Sequence, residues 1–244
     1  TATPKYFREH VKQRAREDEY ELASMDDPKA FGRVLHSLEF SKSIELGLLS
    51  DYQVVVIGVT DRETKRFAEE GRLVRTDDGI STDARTLAAQ IGLSKAMRKY
   101  GLKKIITFHS SIARATRFSS DKPDSFQGVV EWLPEEAAPS GELWMRHISG
   151  SMPTSKRTAI LNELRIMEGE YRGVVTNCRC LGEGVDVPAL DGIAFIDPKA
   201  SPIDIIQAVG RVMRKSPGKD KGTIVVPVFV DESEDADKAL QDSS

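Results

Sequence analysis

The sequence predicts an α/β fold built on a mostly parallel central β-sheet. Six short runs rich in Val, Ile and other apolar residues have the length of buried strands, and stretches of helical periodicity separate most of them. Strands that alternate with helices favour a parallel sheet covered by helices. The predicted strands are residues 53–59, 105–109, 144–148, 173–177, 193–196 and 223–230.

The composition is that of an ordinary globular protein. The chain has 244 residues, of which 39% are hydrophobic and 30% charged, and this length accommodates one large domain with insertions. A net charge of −3 argues against a protein that binds nucleic acid over its whole surface. A local basic strip on one face remains compatible with that charge.

The sequence contains no recognisable membrane segment and no metal-binding cluster. No apolar stretch approaches the roughly 20 residues of a membrane span, and no signal peptide is visible. Cys178 and Cys180 have no second cysteine pair, so they are too few for a disulfide framework or a zinc site. We therefore expect a cytoplasmic protein without a metal site or membrane contact.

The helices are predicted from apolar periodicity and from residues that begin or end helices. Gly101 has the usual position of a glycine after a helix, and Thr154 is a residue that begins one. Residues 60–85 and 112–142 are interpreted as insertions. The predicted helices are residues 5–27, about 40–47, 84–100, 112–118, 123–133, 154–168 and a stretch that begins at Pro202.

The stretch 173–217 contains the residues best suited to phosphate chemistry. Thr176 and Asn177 end a strand, and a Gly-x-Gly-x-Asp-x-Pro sequence follows at residues 182–188. Further on, four residues are spaced at offsets of 0, 3, 4 and 7, which places them on one face of a helix. Guanidinium groups match phosphate oxygens, and a glycine allows close approach. The four residues are Gln207, Gly210, Arg211 and Arg214.

These two motifs, in this order, resemble motifs V and VI of the superfamily 2 helicases and translocases, in the restriction-enzyme-like DEAD/DEAH branch. Thr1 to Pro4 (T-A-T-P) resembles motif III, which closes the first RecA-like domain of that family. The resemblance implies a RecA-like, P-loop NTPase-type three-layer sandwich. It further implies that residues 1–30 end the first RecA-like domain and its connecting helix. Residues 31–230 then form the second, C-terminal RecA-like domain, and 231–244 an acidic tail.

The resemblance also implies roles for individual residues. Arg211 and Arg214 match the arginines that act on the γ-phosphate of ATP, with Gln207 as their polar partner, while Gly184, Asp186 and Gly210 match nucleotide-contacting positions. Residues 105–111 resemble motif IV of the family, and residues 147–157 resemble motif IVa. Nucleic-acid contacts are implied near both motifs and at the start of motif V. These positions are Thr107, His109, Ser110, Gly150, Arg157, Thr176 and Asn177.

The family resemblance implies an ATP-dependent helicase, with DNA as the preferred partner and RNA as the alternative. The sequence contains no G-x4-G-K-[ST] phosphate loop. ATP and Mg2+ would therefore be held mainly by the N-terminal RecA-like domain of the same protein, and this chain alone is expected to be inactive.

Two other functions are compatible with parts of the sequence. A catalytically inactive RecA-like scaffold could bind nucleic acid or a protein partner, in which case the two arginines would be an ordinary solvated helix face. A Rossmann-type dinucleotide enzyme is a more distant alternative, because its third glycine and paired acid are missing. The oligomeric state is left open by the sequence.

Overall fold

The computed structural model describes residues 6–7, 9–18, 20, 22–60, 62–64, 66, 84–178, 190–197 and 202–230. The chain divides into two compact units, residues 1–47 and 48–244. The predicted domain boundary near residue 30 stays a prediction.

The described residues of the first unit form three short helices. They are α1 (Glu9–Glu17), α2 (Pro28–Phe31) and α3 (Phe40–Glu45). The long helix predicted over residues 5–27 is thus shorter than expected. Asp27 begins a separate helix instead, because its carboxylate accepts a hydrogen bond from the backbone N–H of Lys29 at 2.8 Å.

The second unit contains a six-stranded sheet in which every strand pair is parallel. The order across the sheet is β1-β6-β5-β2-β4-β3. All six predicted strands are confirmed, as is the RecA-like α/β sandwich. The strands are β1 (Asp51–Thr60), β2 (Lys104–Phe108), β3 (Glu142–Ile148), β4 (Tyr171–Asn177), β5 (Gly192–Phe195) and β6 (Lys221–Val230).

Five helices with defined bounds flank this sheet. They are α4 (Ala84–Tyr100), α5 (Ile112–Phe118), α6 (Phe126–Trp132), α7 (Thr154–Ile166) and α8 (Pro202–Val212). Helix α4 is buried along most of its length and lies on one face of the sheet, where Gly92 approaches Pro227 closely. The opposite face receives α7, where Leu164 packs against Gly173. The sheet is therefore covered on both faces.

Residues 112–142, expected to be an insertion, contribute to the core. The rings of Phe118 and Phe126 stack with centroids 5.1 Å apart, and both are buried in the same cluster as Leu93 and Met97 of α4. Burial of aromatic and aliphatic side chains is the largest favourable contribution to folding. This segment therefore helps to fix α4 on the sheet.

The end of α8 approaches the start of β6 very closely at Gly222. A Cβ atom at this buried position would lie 2.5 Å from the carbonyl oxygen of Val212, which is backbone and has little freedom to shift. Glycine is thus required for this contact.

We predict that Gly222→Ala lowers the free energy of unfolding by about 1–3 kcal/mol, because the added methyl group overpacks the contact with Val212. Urea denaturation measures this change. Gly150→Ala is the control, since a Cβ there meets nothing within 4 Å. Equal stability of the two variants would contradict the proposed packing constraint.

Candidate functional site

The carboxyl ends of β3, β4, β2 and β5 lie side by side along one edge of the sheet. This follows from the parallel pairing of β2 with both β4 and β5, and of β4 with β3. The edge of a parallel sheet at which the strands end is the usual place for ligands in open α/β folds. The predicted residues of motifs IV, IVa and V are thereby brought close together.

Asp197, which follows β5, is the centre of the hydrogen bonds at this edge. Its carboxylate accepts hydrogen bonds from the backbone N–H and the hydroxyl of Ser110, at 2.8 and 3.0 Å. It also accepts one from Nε of Arg114 at 3.0 Å, and Nη2 of Arg114 lies 2.7 Å from its other oxygen. Asp197 thus joins the segments that follow β2 and β5.

The charge of Asp197 is maintained despite burial. Burial raises the pKa of its carboxyl group, but hydrogen bonds from Arg114 and Ser110 outweigh that effect and hold the pKa below its usual value. A two-pronged contact between a guanidinium group and a carboxylate is among the stronger interactions in proteins. In the sequence Asp197 stands out only as the end of a strand, and nothing there marks Arg114 as its partner.

His109 lies in the core beside this ion pair and is 3% exposed. Its ring packs against Phe118 at a centroid distance of 4.9 Å, and its Nε2 lies 2.9 Å from the hydroxyl of Thr107. Burial lowers the pKa of His109 to about 4, and Asp197 opposes this shift only in part. The imidazole is therefore neutral near pH 7.

Thr107, Thr176 and Asn177 are fully buried, with 0% exposure. The amide nitrogen of Asn177 donates to the carbonyl oxygen of Thr107 at 2.9 Å, which joins the ends of β4 and β2. The hydroxyl of Thr176 donates to the carbonyl oxygen of Ala115 at 2.9 Å and lies 3.0 Å from Nδ1 of His147. In this structure these side chains order the strand ends and do not face solvent.

Arg157 stabilises the turn that follows β3. Its Nη1 donates to the carbonyl oxygens of Met152 and Gly150, at 2.8 and 3.2 Å, and Nη2 donates to the hydroxyl of Thr154 at 3.2 Å. Gly150 is exposed, with open space where a side chain would be. The backbone of this turn is therefore accessible to a ligand, while the guanidinium group of Arg157 is used to shape it.

The predicted phosphate-binding residues of α8 and the turn after it lie in two different environments. Arg211 is 8% exposed and Gln207 is half-buried, whereas Arg214 is exposed. Burial lowers the pKa of the Arg211 guanidinium, which nevertheless stays charged at neutral pH. Arg214 was predicted to lie in the helix, but α8 ends at Val212, and Arg214 belongs to the turn that follows.

Helix α8 and the turn after it carry several side-chain hydrogen-bond donors. Two guanidinium groups and an amide offer hydrogen-bond donors of the kind that phosphate oxygens accept. Gly184 and Asp186, predicted to contact the nucleotide, lie outside the described residues. Within the part of the chain that the structure describes, no group of three or more His, Cys, Asp or Glu residues is arranged to hold a metal ion. Among those same residues, no helix is both long and apolar enough to cross a membrane.

Comparison with known proteins shows similarity to helicases. The family model described as "Helicase conserved C-terminal domain" matches residues 92–216, just over half of the chain. A protein named "Probable helicase" from a Malawi tick isolate of African swine fever virus is 41% identical over 210 residues, which are 85% of this chain and 21% of that protein. An ATP-dependent RNA helicase of Saccharomyces cerevisiae is 30% identical over 166 residues, or 68% of this chain and 27% of that protein.

Among solved structures, the ATP-dependent Type ISP restriction-modification enzyme LlaBIII bound to DNA superimposes with a TM-score of 0.74 and 30% sequence identity. The match covers 96% of this chain and 16% of the LlaBIII chain. The chain thus spans about a fifth of the length of the viral relatives and less of the restriction enzyme.

We predict an acid-dependent loss of stability that arises from His109. A histidine in the unfolded chain takes up a proton near its ordinary pKa of 6.5, whereas folded His109 resists protonation down to about 4. The contribution of His109 to stability is therefore fully present above pH 6.5 and is lost as the pH falls towards 4. Between about pH 7 and about pH 5 the free energy of unfolding should decrease by about 2 kcal/mol through this residue.

Urea denaturation at both pH values tests this. His109→Gln should remove that part of the decrease, and His36→Gln, at an exposed position, should retain it. An unchanged pH dependence in His109→Gln would show that His109 is not the group responsible.

Proposed function

Because the chain belongs to the helicase conserved C-terminal domain family, we propose that it is the second RecA-like half of an ATP-dependent DNA helicase or translocase. In the intact protein, an N-terminal RecA-like domain would hold ATP and Mg2+ in a cleft between the two halves. ATP supplies the phosphoryl group whose transfer to water drives movement. The observation that carries this proposal is a pair of arginines, the buried Arg211 on α8 and the exposed Arg214 in the turn after it.

We propose that Arg211 and Arg214 act on the phosphate groups across this cleft. Charge develops on the transferring phosphoryl oxygens, and a positioned guanidinium stabilises it more strongly where water is excluded. Arg211, which is mostly buried, is suited to a fixed contact, and the exposed Arg214 is suited to reach towards the facing domain. Gln207 would contribute an amide, and Gly210 would leave room for the phosphate groups to approach closely. Gly184 and Asp186 would contact the rest of the nucleotide.

We propose further that nucleic acid binds along the carboxyl edge of β2, β4 and β3. Gly150 and Ser110 are exposed there, and backbone groups that contact phosphates position a strand without reading its bases. The buried side chains of Thr107, His109, Thr176 and Asn177 would act by ordering this edge, and Arg157 by shaping the turn. DNA is favoured because LlaBIII, which is 30% identical, was solved bound to DNA.

The arginine contribution is tested by the DNA-stimulated ATPase activity of the intact protein. We predict that Arg214→Ala lowers turnover by about a thousand-fold while largely retaining ATP binding, since an arginine finger acts mainly in the transition state. Lys215→Ala, which removes a neighbouring exposed charge, is the control and should have little effect. The same assay with RNA in place of DNA determines which nucleic acid stimulates turnover.

Two outcomes would contradict the proposal. If Arg214→Ala hydrolyses ATP as fast as the wild type, the arginine is ordinary surface. If the intact wild type hydrolyses no ATP in the presence of DNA or RNA, the RecA-like fold serves as an inactive scaffold.

A further inference from the structure

The C-terminal end of α8 is held by groups that come from outside the helix. The last carbonyl groups of a helix have no partner within it and need one elsewhere. Nζ of Lys219 donates hydrogen bonds to the carbonyl oxygens of Val212 and, at 3.1 Å, Arg214. Between these two, the carbonyl oxygen of Met213 accepts a hydrogen bond from the backbone N–H of Ser50 at 2.7 Å. Three consecutive carbonyl groups are thus bound, an arrangement we term the carbonyl clamp.

The carbonyl clamp matters because Arg214 lies beyond the helix. Its backbone N–H donates to the carbonyl oxygen of Arg211 at 3.3 Å, which is a long bond for this donor and acceptor. The carbonyl oxygen of Arg214 is bound by Lys219. The backbone position of this arginine therefore depends on the lysine as well as on helical hydrogen bonds.

The loop that carries Lys219 is built to return to the helix end. Gly218 has a φ of 74°, a left-handed conformation that glycine adopts readily, and the N–H of Lys219 donates to the carbonyl oxygen of Ser216 at 3.2 Å. The chain then enters β6, where Gly222 lies close to the carbonyl group of Val212. Lys219 and Gly222 thus both lie against the same end of α8.

We propose that Lys219 is a positioning residue that holds Arg214 in place for ATP hydrolysis. This inference rests on the proposed function, and extends it to a residue that does not touch the nucleotide. An error of about 1 Å in the placement of a reacting group can reduce a rate about 100-fold. The ammonium group is suited to this task because a cation also interacts favourably with the negative end of the helix dipole.

The charge of Lys219 changes within an experimentally accessible pH range. Burial lowers the pKa of Lys219 to about 8, and attraction by Asp191 opposes this shift only in part. Above that pH the charge-assisted hydrogen bonds to the carbonyl groups weaken. The charged residues on the same loop and the neighbouring segments are Asp51, Asp191, Arg211, Arg214, Lys215, Asp220 and Lys221.

Folding stability should respond to this proton in the opposite direction from turnover. Between about pH 8 and pH 10.5, Lys219 has released its proton in the folded protein but retains it in the unfolded chain. The contribution of Lys219 to stability therefore rises with pH over this range. A decrease in turnover over this range therefore does not reflect loss of folding through Lys219.

The test uses the intact protein and its DNA-stimulated ATPase activity. We predict that Lys219→Met lowers kcat about tenfold or more with little change in the KM for ATP, and that Lys219→Arg restores most of the activity. The wild type should lose turnover as the pH rises through about 8, whereas Lys219→Arg should not, because arginine stays charged. Lys215→Met is the matched control and should behave as the wild type.

A double-variant comparison separates positioning from general structure. In an Arg214→Ala background, Lys219→Met should cause no further decrease, because the group that it positions is already absent. A further decrease of about tenfold in that background would overturn the inference, as would normal turnover of Lys219→Met. If Lys219→Met does not fold, a pH profile of Lys219→Arg identical to the wild type overturns it instead. Unchanged turnover in Arg214→Ala alone would contradict the proposed function itself.

Discussion

The position of β2 between β4 and β5 is the constraint on which the candidate site depends. Parallel pairing on both sides brings the residues after Phe108, Asn177 and Phe195 to the same edge. Asp197 then bridges to Ser110 and Arg114 from the end of the neighbouring strand. Segments distant in sequence are joined there by this buried carboxylate and by hydrogen bonds between the strand ends.

That carboxylate also links two regions with different proposed roles. Ser110 lies at the edge where nucleic acid is proposed to bind. Asp197 immediately precedes the segment that leads in the sequence to α8, with Arg211, and to the turn with Arg214. Asp197 is buried whereas Arg114 is exposed, so loss of Arg114 would leave a buried carboxylate with fewer hydrogen-bond donors. The end of β5 and the segment after β2 are therefore connected through this carboxylate.

The sequence was sufficient to predict the strands and the identity of the fold. The runs of β4 and β6 are rich in β-branched residues, which favour a strand over a helix. The periodicity of α8 likewise placed Gln207, Gly210 and Arg211 in one helix. The end of that helix was missed, because it depends on Lys219 and on Ser50, which lies far away in the sequence.

Side-chain environments were much less predictable. The contact between Arg114 and Asp197 joins residues 83 positions apart, and no local pattern indicates such a partner. Thr107, Thr176 and Asn177 resemble ligand-binding residues in sequence, yet tertiary packing places them in the core. The interpretation of residues 112–142 as an insertion stays a prediction, and the sequence does not reveal that Phe118 and Phe126 of this segment stack inside the protein.

If this chain supplies only one half of an ATP site, the 244-residue chain alone should not hydrolyse ATP, and an ATPase assay of that chain measures this. The chain is predicted to bind ATP weakly and to show no DNA-stimulated turnover above background. Turnover should emerge when a preceding domain with a G-K-[ST] phosphate loop is included. Robust hydrolysis by the isolated chain would show instead that these residues contain a complete ATP site.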